Sequence, residues 1–265
     1  MKIQEWRRLA LCSVGLLAAV LLVSLSGMLH PLADNNLPGE ENGTGTASER
    51  LQDIAHVEAH GRDENEPAVT QEPRRQYVVV IDAGHGGDDE GTGSTDWKYR
   101  EKDYALKVAD CLKEILDGTD IKAYYTRTDD REVSKEERVR LAKKVGADAL
   151  ISIHCNASDL NETTAKGVET LYSSRKATTK NGLSSKELAH NMLDAVCEMT
   201  GRQKRKVIRR DRLYLMHHAD MPVTIVEIGF MTNRSDMAYM KSEENQKAIA
   251  QGIYRGICTS FHLSE

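Results

Sequence analysis

From Tyr77 onward, short β-branched runs alternate with stretches of helical periodicity, and that alternation limits the fold more than any other feature of the chain. YVVVID is a run of the kind buried strands show, and it ends at the glycine-rich AGHGG. In EKDYALKVADCLKEIL, Ala105, Val108, Ala109, Leu112, Ile115 and Leu116 share one helical face, which puts Glu101 in the first turn of a helix. IKAYYTR then reads as a strand, about Ser134 to Val145 as a helix with Glu136 and Glu137 in its first turn, and ALISIH as a strand. GVETLYSS, RLYLM and PVTIVEIGF read as three more strands. Helices are predicted from Ser185 to Met199 and from about Glu243 to Phe261. Strands and helices in alternation predict an α/β fold: a single domain with a mostly parallel or mixed central sheet of about six strands and helices on both faces.

The expected organisation has three parts: residues 1–29 as a membrane anchor or signal segment, 30–75 as a disordered acidic linker, and 76–265 as the folded domain. Lys2, Arg7 and Arg8 precede an uncharged run from Leu9 to Leu29, which as a helix spans about 30 Å, enough for a bilayer. Basic residues before the run, and Asp34, Glu40 and Glu41 after it, place the N-terminus inside the cell and the remainder outside. The length favours an N-terminal membrane helix. The alternative is a cleaved signal peptide, with Ser24-Leu25-Ser26-Gly27 or Leu32-Ala33 as weak cleavage sites, which makes the protein exported. Met28 stands where a lipoprotein signal needs Cys, so lipidation there is not expected. The linker is rich in Asn, Gly, Glu, Thr and Pro and cannot bury enough surface to offset chain entropy, so it reads as a flexible stalk.

Residues 76–265 carry 29 Lys and Arg against 30 Asp and Glu, a net charge of −1, which gives nucleic-acid binding no support. Cys12, Cys111, Cys155, Cys197 and Cys258 stand singly without CxxC spacing, so neither a disulfide framework nor a thiolate metal site is implied.

Ligand sites in open α/β sheets gather where strands end. His85 follows YVVVID in a turn whose Gly84, Gly86 and Gly87 let the backbone approach a ligand; a phosphate loop is the rival reading, but its Lys-Ser/Thr is absent. His154 ends ALISIH, followed by Asn156 and Ser158, and taken alone it reads more readily as structural than as chemical. Glu227 lies inside the apolar run PVTIVEIGF, where an unpaired carboxylate is costly unless it is salt-bridged or kept beside a cation. With Glu101 these make two imidazoles and two carboxylates. Catalytic Zn²⁺ sites typically use three such protein ligands and leave a fourth position open. The set His85, Glu101 and His154, with Glu227 as base, has that composition, although its members are spread along the chain rather than gathered in an HExxH helix.

IDAGHGG, Glu101-Lys102-Asp103, TRTDD, ISIHCNAS, GVETLY and MPVTIVEIGFMTN resemble, in order, the motifs of the zinc-dependent N-acetylmuramoyl-L-alanine amidases of the amidase-3 family, from Val78 to about Phe261. The resemblance makes His85, Glu101 and His154 the expected zinc ligands and Glu227 the catalytic glutamate. It implies hydrolysis of the amide between the muramic acid lactyl group and L-alanine in peptidoglycan. Ala83 stands where the family often has Pro, and Cys155 where it often has Ala; strand alternation turns Cys155 away from His154. A zinc peptidase cutting within the stem peptide and a non-catalytic wall-binding membrane protein are the alternatives.

Arg202 to Arg212 holds seven Lys or Arg and reads as a solvated basic loop, or as a grip on stem-peptide carboxylates. By position Arg209 resembles a family residue near the substrate groove, and Asn156 is a second expected substrate contact. Thr126, Arg127 and Arg138 are expected to be structural, pairing with Asp129 or Asp130. His217 and His218 read as exposed loop residues. Only a short polar stretch, about Ser173 to Ser184, follows GVETLY, so no autoinhibitory plug is expected. The small domain behind an N-terminal anchor is similar to the spore-cortex, germination-specific amidases. Expected partners are peptidoglycan, the membrane and an unidentified activator protein, with no nucleic acid.

Overall fold

The computed structural model describes residues 76–159, 164–179 and 181–264. The predicted membrane helix and stalk, residues 1–29 and 30–75, lie outside them. Among the described residues, no helix is long and apolar enough to cross a membrane.

Six strands, β1 (Val78–Ala83), β2 (Lys122–Tyr125), β3 (Ala149–Asn156), β4 (Val168–Tyr172), β5 (Lys204–Arg209) and β6 (Val223–Phe230), form one sheet in the order β2-β1-β3-β6-β4-β5. The helices are α1 (Glu101–Leu116), α2 (Lys135–Lys144), α3 (Ser185–Thr200), α4 (Tyr214–His218), α5 (Arg234–Met240) and α6 (Glu243–Phe261). The β2-β1-β3-β6 block is parallel; β4 runs antiparallel to β6, and β5 runs parallel to β4. The predicted mixed α/β sheet is therefore the observed one.

Strand alternation divides the core in two. Val79, Ile81, Ile151, Ile153, Cys155, Val226 and Ile228 face α1, α3 and α6, among buried Leu112, Leu193 and Ile253. Val80, Leu150, Val223 and Ile225 face the other way, against Val139 of α2 and Leu215 and Met216 of α4. Each such fully buried aliphatic side chain contributes about 1.5–3 kcal/mol. Ser134 starts α2 with a capping box: its side chain accepts from the Glu137 backbone N–H, and the Glu137 carboxylate accepts from the Ser134 N–H at 3.0 Å.

Three elements differ from expectation. RLYLM is not a strand: Tyr214–His218 form the short helix α4, whose Leu215 and Met216 are buried. The fifth strand lies instead inside the basic run that reads as a loop, at Lys204–Arg209. It is the sheet's outer strand, where lysines and arginines discourage pairing with another chain. The short helix α5 was also unforeseen.

Candidate active site

β1 leads through α1 to β2 on one side, and β2 returns through α2 to β3 on the other side of β1, so the strand order reverses between β1 and β3. That switch point is where open sheets form their crevice. His85 lies just past β1 and His154 near the end of β3. Glu101, the first residue of α1, reaches both: its Oε1 is 2.8 Å from His154 Nδ1 and its Oε2 3.2 Å from His85 Nε2. Ligand atoms of the three residues lie within 4.8 Å of one another. The remaining contacts of Glu101 are backbone N–H donors from Thr92 at 2.8 Å and Cys155 at 3.0 Å. Cys155 thus meets the cluster through its backbone, while its thiol points into the opposite core, 3.9 Å from Met240 Sδ.

The loop that carries His85 is held from beneath by two buried arginines. Arg138 donates to the carbonyls of Ala83 and His85, both at 2.8 Å, and Arg127 donates to those of Ala83 at 3.0 Å and Gly84 at 2.8 Å. The expected partners Asp129 and Asp130 are not what neutralises Arg138. It pairs with Asp82, fully buried on β1, which also accepts from Thr126 Oγ1 at 2.7 Å and Ser152 Oγ at 2.5 Å. Burial pushes the Asp82 pKa up, but Arg138 and the two hydroxyls outweigh it, and the net shift is downward. Asp130 instead binds Lys102 at 2.7 Å. His85 has φ 60°, a left-handed conformation uncommon away from glycine and often found at functional sites. Asp89 Oδ1, 2.9 Å from His85 Nδ1, fixes the ring so that Nε2 faces Glu101. Two glycines make room: a Cβ on Gly84 would sit 2.5 Å from His154 Cε1, and one on Gly91 2.6 Å from Glu101 Oε2.

Glu227 stands beside His154 in the β3–β6 register, and Glu169 of β4 stands beside Glu227 on the far side. Side chains paired across a sheet share a face, so His154, Glu227 and Glu169 form a row. Glu169 accepts from Arg205 Nε at 2.6 Å and from Asn156 Nδ2 at 2.9 Å. Glu227 Oε2 is sealed from solvent and has no hydrogen-bond partner among the described residues. Burial pushes the Glu227 pKa up to about 7, with His154 pulling it down and Glu101 and Glu169 adding to the rise. Burial raises the Glu101 pKa too, but the hydrogen bonds from His154 and His85 outweigh it and hold the group low.

Asn156 and Arg209, the two expected substrate contacts, both have partners within the chain. Asn156 is taken up by Glu169 and by the Ala157 N–H at 2.8 Å. Arg209 pairs with Tyr172, which pairs with Thr224, so it is level with the start of β6 rather than with Glu227. It is exposed and bound to Asp211 at 2.5 Å. Because β4 and β5 run against β6, the first residues of β5 lie at the cluster's end of the sheet. Arg205, whose only sequence signal is its place in the basic run, is the arginine found there. A cavity of about 620 Å³ opens beside His85 and His154, bordered by Asp89, Glu132, Leu213 and Tyr214. His217 and His218 are exposed.

A mixed α/β sheet with a triad able to bind a metal at its switch point, and a carboxylate with one sealed oxygen alongside, defines a class of hydrolases. Residues 79–259 match the N-acetylmuramoyl-L-alanine amidase family Amidase_3, and the chain belongs to that family. It is thus a hydrolase of amide bonds, acting on peptidoglycan. It is similar to the N-acetylmuramoyl-L-alanine amidase of Clostridium difficile 630, at 34% identity and TM-score 0.65, over 72% of this chain and 99% of that one. The uncharacterized protein YqiI of Bacillus subtilis (strain 168) is 33% identical over 190 residues, 72% of this chain and 87% of YqiI. The CwlD amidase of Clostridioides difficile, solved in complex with the GerS lipoprotein, is 27% identical with TM-score 0.64, over 71% of this chain and 99% of that one.

Proposed function

We propose that His85, Glu101 and His154 hold a zinc ion and that Glu227 is the general base and acid for cleaving the amide between the muramic acid lactyl group and L-alanine. The observation that carries this reading is the pairing of the His–Glu–His cluster with the sealed, unpartnered Glu227 Oε2 beside it. Two imidazole nitrogens and a carboxylate oxygen are a donor set suited to Zn²⁺. When bound, the ion supplies a Lewis acid that polarises the scissile carbonyl and makes water more acidic.

The chain's own residues do the rest. Asp89 and the Arg127 and Arg138 contacts hold His85 in place, so that little reorganisation is needed on binding. Glu227 takes a proton from the attacking water and delivers it to the leaving nitrogen of L-alanine. A group whose pKa lies at about 7 can both accept and release a proton near neutral pH. The lactyl carboxylate and a free L-alanine amine are the products. Arg205 and Asn156 keep Glu169 engaged, which leaves Glu227 as the carboxylate free to exchange.

The uncharged run from Leu9 to Leu29 supports an extracytoplasmic domain tethered to the cell membrane, or exported if that segment is cleaved. Similarity to an amidase solved in complex with a lipoprotein supports a protein partner, which we take as the activator, and the likeness of a small domain behind an N-terminal anchor to the germination-specific amidases supports a spore-cortex role. Digesting purified peptidoglycan with the zinc-loaded protein tests the activity. New L-alanine amines on intact stems are expected; shortened stems, or no new termini, would overturn the reading.

A further inference from the structure

Two cavities, one lined by the cluster's histidines and one by residues close to it along the chain, differ in charge. The one beside His85 and His154 is bordered by the exposed acids Asp89, Glu132 and Glu136 against one exposed lysine, Lys135. The other, of about 860 Å³, lies between the Ser94–Tyr99 loop, Lys166 and the connection from β6 into α5. Tyr99, Met231 and Met237 give it apolar walls, and Lys166, Arg234 and Lys241 stand exposed around it. None of these three cations forms an ion pair among the described residues; Lys241 Nζ lies 4.7 Å over the Tyr99 ring instead. Asp96, the acid in the wall, is occupied by Ser94 Oγ at 2.6 Å and the Lys98 N–H at 3.2 Å.

The walls of this cavity are joined to the cluster through neighbouring residues of the chain. Tyr99 lies two residues before Glu101, and Thr92, in the same loop, exchanges hydrogen bonds with Glu101. Met231 directly follows β6, and its N–H donates to the Asn156 carbonyl at 2.8 Å. From Glu227 to Met231 the extended chain covers about 13 Å, a distance that an extended peptide spans with about four residues.

Resting on the amidase reading, we propose that this basic cavity receives the carboxylates of the distal stem peptide, and so sets the direction in which substrate crosses the cluster. The substrate joins an uncharged glycan to a peptide bearing carboxylates, and the two cavities divide in the same way. Carboxylates meet repulsion on the Asp89, Glu132 and Glu136 side and three unpaired cations on the other, while the aromatic and methionine walls accept aliphatic stem side chains. The glycan is left to the acidic cavity, where Leu213 and Tyr214 line the wall.

The test is calorimetric binding of a free tetrapeptide stem to the zinc-loaded full chain, alongside the same peptide with its distal carboxylates converted to carboxamides. The parent should bind the carboxylate form about tenfold more tightly. A double variant, Arg234→Ala with Lys241→Ala, should lose that preference, with its melting temperature checked against the parent to confirm folding. With muramoyl-tetrapeptide substrates, the double variant should raise KM for the carboxylate form and erase its difference from the amide. Equal binding of the two peptides by the parent, or a preference retained in the folded variant, would overturn the proposal. A parent that binds the stem with the expected preference yet cleaves no muramoyl substrate would overturn the amidase reading and leave this one standing.

Discussion

Replacing Glu227 with Gln should make the metal-free protein more stable while abolishing its activity. Glutamine keeps the shape of the side chain and removes its charge. In the folded chain burial raises the Glu227 pKa from 4.5 to about 7, so the ionised form is disfavoured relative to the unfolded state. Below pH 4.5 the group is protonated in both states and contributes no penalty; the penalty grows through the interval up to pH 7 and is full above it. At about 1.4 kcal/mol for each pH unit separating the folded and unfolded values, it reaches about 3 kcal/mol at pH 8. For a domain of this size that corresponds to a melting temperature about 6–12 °C higher for Glu227→Gln than for the parent, both stripped of metal. At pH 5 the difference should shrink below about 1 kcal/mol. Zinc in the cluster offsets the negative charge, so loading both proteins should narrow the gap at pH 8. Peptidoglycan hydrolysis by the variant should fall by about 10²–10⁴-fold. Equal melting temperatures at pH 8, or a less stable variant, would show that the carboxylate is not held away from solvent and would remove the physical basis for calling it the base.

Gly84→Ala sets a Cβ 2.5 Å from His154 Cε1 and should weaken zinc binding at least about tenfold, measured by competition with a chromogenic chelator, while the metal-free protein stays folded. Asp89→Ala releases His85 Nδ1 and should lower zinc affinity by about 10–100-fold, with activity restored by excess zinc. Asp82→Ala leaves Arg138 buried without its counter-charge and should cost about 3–5 kcal/mol in urea denaturation. Because the Asp82 pKa is depressed, its contribution is full above the ordinary carboxylate range and fades as pH falls through the lowered value, so parent and variant should converge in acid.

β1, β3 and β6 are legible in the sequence because strands buried on both faces read as unbroken apolar runs, and α1, α2, α3 and α6 because their apolar residues keep helical spacing. β5 is not, since an outer strand gains from the charges that make KRKVIR look like a loop. The five residues of RLYLM alternate well enough for a strand and bury Leu215 and Met216 well enough for one helical turn, and so short a window cannot decide. Arg138 finds Asp82, 56 residues away, and the nearer Asp129 and Asp130 are poor guides because ion pairing follows the fold rather than the chain.

The direction of β4 is the feature that no local pattern carries, and it decides which arginine of β5 is level with the cluster. A β4 parallel to β6 would bring the end of β5, with Arg209, to the cluster; the antiparallel β4 brings its start, with Arg205. That reversal also assigns the glutamates. In sequence the apolar flanks of Glu227 set it apart, but nothing local shows what Glu101 and Glu169 are bound to. In the fold Glu101 is committed to two histidines and Glu169 to Arg205 and Asn156, each with the counter-charge or donors that keep a carboxylate ionised. Among the described residues, Glu227 is the member of the row with a buried oxygen that has no partner, beside the cluster. Proton transfer needs a carboxylate whose charge is not already satisfied, and the neighbours of Glu227, by satisfying the other two, support it as the proposed base.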